Sequence, residues 1–138
     1  MFKYFRIVIY GTEKKLLAIC DINTEYHLGH IFEYAGYQFD PLHKILNYPY
    51  SLSDEELYKV WENIPKGYDA TIVFSGYEGI FTRLKEPQAP KKAVYWCTGR
   101  GESTIREREC AENLDLIIGD DIKVVTRISE LINPIFEK

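Results

Sequence analysis

Cysteine is scarce in this chain: three residues, Cys20, Cys97 and Cys110, with no CxxC pair among them. An odd and sparse set does not make a disulfide scaffold and reads as free thiols in a reducing compartment. Long basic runs are missing too, which removes the electrostatic footprint that an extended nucleic-acid surface requires. No apolar stretch approaches the ~18 residues of a membrane span. The first ten residues lack a long apolar region followed by a small-residue cleavage site, so the expectation is a cytoplasmic protein with no membrane partner. Internal repeats, low-complexity tracts and Ser/Gly linkers are likewise absent from the sequence.

What remains is the composition of an ordinary globular domain. The 138 residues are 46% hydrophobic and 28% charged, with a net charge of −4 spread over interspersed acids and bases. That length fits one α/β domain and buries roughly two-thirds of the surface its unfolded chain would expose. Eleven Tyr and seven Phe supply large apolar surfaces for a core or an interface.

Apolar runs at residues 4–10 and 16–20 read as an antiparallel edge hairpin turned at Gly11, or as two separate strands. Residues 23–50 read as largely irregular, with a short helix at 30–34 ending near Gly36 and a helical turn at 43–46. Ser53-Asp54-Glu55-Glu56 is a capping box that opens a helix carrying Leu57, Val60 and Trp61 on one face. From residue 68 the pattern becomes regular. Unbroken apolar strands at 70–74, 93–97 and 114–118 alternate with helices expected at 78–84 and from Thr104 to about Asn113. After the last of these strands, Asp120-Asp121 closes a hairpin onto Ile122 to Val125 or caps a last helix carrying Val125, Ile128, Leu131 and Ile132, and the recurrence every three to four residues favours the helix. Strand, helix, strand, helix, strand with short links predicts a Rossmann-like doubly wound sheet of four or five mostly parallel strands.

In such a sheet ligands bind outside the carboxyl ends of the strands. Three loops leave those ends: Ser75-Gly76-Tyr77-Glu78, the segment from Thr98 to Ser103, and Gly119-Asp120-Asp121. The middle loop is the most suggestive. Gly99 and Gly101 allow close backbone approach, the following helix offers unpaired amides at Ser103 and Thr104, and Arg100 with Arg106 supplies a fork for a phosphate or carboxylate. The candidate binding set is therefore Ser75, Gly76, Thr98, Gly99, Arg100, Gly101, Ser103, Thr104, Arg106 and Asp120. Neither a Walker loop nor a GxGxxG fingerprint is present, because no Gly-Lys-Ser/Thr follows and Thr104 stands where a third Gly belongs. Cys97 ends a buried strand, where a cysteine reads as core. His27, His30 and His43 cluster in sequence without metal-ligand spacing and read as surface residues; no metal site is expected.

Two local motifs add a family to this reading. His27-Leu28-Gly29-His30 is an HxGH, and Ser103-Thr104-Ile105-Arg106 resembles the closing STxIR-type segment of the HxGH-superfamily nucleotidylyltransferases, the cytidylyltransferases among them. The segment between Asp69 and Arg106 is similar in layout to the second half of those enzymes. Asp21, however, precedes His27 by six residues, not three, and Phe39-Asp40-Pro41-Leu42-His43 follows the HxGH instead of leading into it. The resemblance spans about a quarter of the chain. It implies nucleotidyl transfer with Mg²⁺ as cofactor, His27 and His30 as catalytic contacts to the phosphates, and Ser103, Thr104 and Arg106 at the β/γ end. The expected function is binding of a nucleotide or phosphorylated small molecule, with group transfer left open. The alternative is a non-catalytic ligand sensor or interaction module that forms a homodimer through its Tyr-rich segment, Tyr37, Tyr48 and Tyr50.

Overall fold

The computed structural model describes residues 14–97, 111–119 and 128–136. Within them the chain forms β1 (Lys14–Ile19), α1 (Ile22–Tyr34), β2 (Tyr37–Pro41), α2 (Leu42–Ile45), α3 (Asp54–Val60), β3 (Ala70–Phe74), β4 (Lys92–Cys97), β5 (Leu116–Gly119) and α4 (Ile128–Ile132). Short 3-10 turns lie at Trp61–Asn63, Glu78–Arg83, Ala111–Asn113 and Asn133–Phe136. The five strands form one sheet in the order β2-β1-β3-β4-β5, and every neighbouring pair is parallel. This is the doubly wound, Rossmann-like α/β architecture expected from the alternating strands and helices.

The unbroken apolar strands follow from burial on both faces. Along β1, Leu16, Ala18 and Cys20 face a core shared with Phe32 of α1 and Ile128 and Ile132 of α4. Leu17 and Ile19 face the opposite core, with Leu42, Leu57, Trp61 and Phe81. The two-residue period of a strand thus sorts one run into two cores. The first core is aromatic: Phe32 stacks on Phe39 at 5.0 Å between ring centroids, and Phe74 stacks on Trp96 at 5.7 Å. Each such pair contributes about 0.5–1.5 kcal/mol beyond burial. In the second core Trp61 donates its ring N–H to the Arg83 carbonyl at 3.0 Å, which ties α3 to the turn after β3.

Residues 23–50 are more ordered than the sequence suggests. α1 begins at Ile22 because Asp21 caps it, its carboxylate accepting from the Thr24 amide at 2.7 Å. A cap of this kind stabilises a helix by about 1 kcal/mol. The helix ends at Gly36, whose φ of 102° is open to glycine at no steric cost. β2 then alternates buried Tyr37, Phe39 and Pro41 with half-buried Gln38 and Asp40. Among the described strands β2 has a ladder on one side only, the position in a sheet that tolerates Pro41.

Other expectations are corrected in detail. β1 uses both edges for parallel neighbours, β2 and β3, so no edge of it remains for the antiparallel hairpin across Gly11. The segment after β3 is a 3-10 turn, not an α-helix. The Ser53 capping box forms as expected, with Ser53 Oγ accepting from the Glu56 amide and the Glu56 carboxylate from the Ser53 amide. The strand at residues 4–10 and the capped helix from Thr104 lie outside the described residues.

Candidate functional site

Parallel pairing brings the strand exits to one edge of the sheet. Ile19 lies beside Val73, Phe74 beside Trp96, and Cys97 beside Gly119. β1, β3, β4 and β5 therefore deliver the chain to a shared rim. The winding reverses between β1 and β3, because β2 lies on one side of β1 and β3 on the other. In sheets of this kind a crevice opens at that point, outside the carboxyl ends.

At the β1 exit, Cys20 is buried and its thiol is pushed well above the ordinary range, first by burial and then by the negative charges of Glu25 and Asp21. It stays a neutral thiol and is no nucleophile. The amides that open α1 are engaged by the protein itself. The Ile22 N–H donates to Ser51 Oγ at 2.8 Å and the Thr24 N–H to Asp21. An anion has little to bind there.

The segment before α3 reaches from α1 to the β3 exit. Ser51 holds the Ile22 amide, the Leu52 carbonyl accepts from the Tyr77 hydroxyl at 2.8 Å, and the Asp54 carboxylate accepts from the Gly79 amide at 3.2 Å. Residues 51–54 thus strap across the switch point. Burial pushes the Tyr77 hydroxyl up to about 12, helped by negative charge on Asp21, Asp54 and Glu56.

Beside the strap, Gly76 follows β3 with φ 101°, a conformation that favours glycine. Its amide donates to both carboxylate oxygens of Glu78, at 3.1 and 3.0 Å, and the Tyr95 hydroxyl of β4 donates to the same carboxylate at 2.6 Å. A carboxylate is thus already seated at the β3 exit. Oε2 accepts from both Gly76 and Tyr95, while Oε1, which accepts from Gly76 alone, keeps acceptor capacity for a hydroxyl or amine.

A second polar cluster lies where β1, α1 and α2 meet. His43, expected at the surface, is buried, with Nδ1 3.2 Å from the Cys20 carbonyl and Nε2 2.9 Å from Glu25 Oε1. Both ring nitrogens face oxygens, so the ring and the carboxyl together must supply two donated protons. Lys44 adds a 3.4 Å contact to the other Glu25 oxygen.

Of the sequence-predicted residues, Ser75 and Gly76 stand on the rim. His27 and His30 are exposed on α1, and Gly29 between them faces inward, where an added Cβ would lie 3.3 Å from Phe39 Cδ2. α1 starts at the rim and runs back along the sheet, so at 1.5 Å per residue these histidines lie about 7 and 12 Å down the helix. The structure does not bring them to Ser75 and Gly76. Thr98, Gly99, Arg100, Gly101, Ser103, Thr104, Arg106 and Asp120 lie outside the described residues; the β4 and β5 exits that lead to them are on the same rim. Sequence reasoning missed Glu78 with Tyr95, the strap, and the His43–Glu25 pair.

Among the described residues no three His, Cys, Asp or Glu converge on a metal position, and no helix is long and apolar enough to cross a membrane. Comparison with known proteins returns no matching family model, no similar curated protein and no similar solved structure.

Proposed function

We propose that this chain binds a nucleotide or another phosphorylated small molecule along the carboxyl rim of its sheet, in a cytoplasmic setting. The observation that carries the reading is the alignment of four parallel exits on one edge, with the winding reversing between β1 and β3. The chemistry of the rim adds a direction. Its described part is rich in acceptors, Asp21, Asp54 and Glu78, and suits sugar hydroxyls or ring amines while repelling phosphate. The phosphate end belongs to the segment after β4, where Gly99, Arg100, Gly101, Ser103, Thr104 and Arg106 follow in sequence. Such a ligand lies along the rim with its hydroxyls at the switch point and its charge beyond Cys97. Nucleotidyl transfer is the less supported extension, since His27 and His30 stand away from the strand exits.

Nucleoside mono-, di- and triphosphates, each with and without Mg²⁺, test this by thermal shift and calorimetry. A binder selective for the folded state raises the midpoint. Arg100→Ala and Arg106→Ala should each weaken binding about tenfold, the scale of one charged hydrogen bond. No shift with any of these ligands overturns the reading, as does binding that ignores both substitutions.

A second reading, self-association, draws on a different observation. Ile22, Tyr26 and Tyr50 are exposed, Tyr26 to 77%, while Tyr37 of the expected patch is buried with its hydroxyl donating to Asn133. If a homodimer forms, its contact surface is the start of α1 with Tyr50, not the Tyr37 segment.

A further inference from the structure

The amino end of the sheet carries a second cleft, about 380 Å³, on the edge opposite the strand exits. Its walls are the lead-ins to β3 and β4: Pro65, Lys66 and Tyr68 on one side, Pro87, Pro90 and Lys91 on the other. The volume falls within the roughly 300–1,000 Å³ of small-molecule sites.

The walls are held in shape without a ligand. Three prolines restrict their backbone. Asp69 is clamped to β1 by a reciprocal pair, its amide donating to the Lys15 carbonyl and its carboxylate accepting from the Lys15 amide, both at 2.8 Å. The Tyr68 hydroxyl donates to Asp40 at 2.5 Å, and the Lys15 ammonium lies 5.2 Å from the centre of the Tyr68 ring. On the opposite wall the Ala89 amide closes a turn onto the Glu86 carbonyl at 2.9 Å.

Charge makes the cleft unusual on a chain of net −4. Lys66 and Lys91 line it, Lys92 adjoins it, and none of the three makes an ion pair among the described residues. Of the nearby carboxylates, Glu86 is paired with Arg83, Asp40 accepts from Tyr68 and Gln38, and Asp69, which lines the cleft, is turned to the Lys15 amide. Neither lining lysine stands in the last turn of a helix, where the helix dipole alone would account for it. A preformed concavity is thus lined by Lys66 on one wall and Lys91 on the other, with the Asp69 carboxylate also among its lining residues and no ion pair to either lysine among the described residues.

We propose that this cleft is a binding site for a small polyanion, a phosphate- or carboxylate-bearing molecule bridged between Lys66 and Lys91. Lysine acts as a point charge without the fixed fork of arginine, so the site selects charge and size more than oxygen geometry. It is independent of the carboxyl rim and stands or falls separately from it.

Calorimetric titration with pyrophosphate and, separately, citrate tests the assignment, with added NaCl matching the ionic strength. The two probes distinguish phosphate from carboxylate as the anionic group. Amide chemical shifts locate the binding at Gly67 and Gln88, or else at Gly99 and Gly101 of the opposite edge. The expected result is saturable binding of at least one probe, with shifts at Gly67 and Gln88. Lys66→Gln and Lys91→Gln should each weaken it about tenfold, while Lys59→Gln on α3 leaves it unchanged. Absence of saturable binding overturns the proposal. So does binding insensitive to both cleft lysines, binding reduced equally by Lys59→Gln, or shifts confined to Gly99 and Gly101.

Discussion

At the scale of single residues, the rim is built from groups whose ordinary chemistry has been suppressed. Cys20 sits at a strand exit, where a nucleophile could stand, yet burial and two adjacent acids keep its thiol neutral. Tyr77 is the more testable case. Its hydroxyl is raised to about 12, so the folded chain holds this proton more tightly than the unfolded chain, where the ordinary value is near 10. The folded state binds more protons between those values, and stability therefore falls as pH rises from about 10 to 12. The contribution is fully present below pH 10. Tyr77→Phe removes the titrating group and the bond to the Leu52 carbonyl, so the variant should be less stable than the parent at neutral pH. Its unfolding free energy should decline less steeply over that alkaline window. Urea unfolding at a series of pH values reads both effects, and an unchanged alkaline slope would assign the loss to other groups.

At the scale of elements, His43 joins the end of β1, the first turns of α1 and the start of α2 through one ring. His43→Leu keeps the volume roughly but leaves the Cys20 carbonyl and Glu25 without those donors. The expected cost is about 1–3 kcal/mol in urea unfolding, the scale of orphaned buried polar groups. Lys44→Ala, which removes only an exposed contact to the same carboxylate, should cost well under about 1 kcal/mol. Equal effects would show the buried ring to be dispensable. The same elements mark what the sequence could disclose. Unbroken apolar runs at β3 and β4 and the Ser53 capping box were legible because burial and capping are local patterns. β2 was not, since its five residues contain a proline and an aspartate, and its place at the end of the described strand order, which tolerates both, is a tertiary fact. The HxGH histidines look catalytic by spacing, but the helical period carries Gly29 inward against Phe39 and both imidazoles to solvent. The strap and the Glu78 seat depend on contacts between segments far apart in sequence, such as Ser51 with Ile22 and Glu78 with Tyr95, and had no local signature.

At the scale of the whole molecule, the sheet separates two kinds of surface. Its carboxyl edge is acceptor-rich and strapped, and its amino edge carries a cleft lined by two lysines without an ion pair among the described residues. The rigid body between them is the set of strands covered on both faces. β1, β3 and β4 are each flanked by two neighbours, and β3 is buried at all five positions. β5 has one neighbour among the described strands and leaves Ile117 and Gly119 exposed. Amides in the central strands can exchange only through large openings, whereas β5, with one described neighbour and two exposed residues, opens locally at lower free energy. Native-state hydrogen exchange should therefore rank β3, β1 and β4 as the slowest and β5 as markedly faster. A ligand at the carboxyl rim should slow exchange at Gly76 and Gly79 without altering the β3 interior, because it adds contacts at the exits and none within the sheet. Uniform protection of β5 and β3 would mean that the sheet opens only as one unit. In that case a rim ligand would slow every strand together, and the exits could not be loosened for ligand entry independently of the strands that carry them.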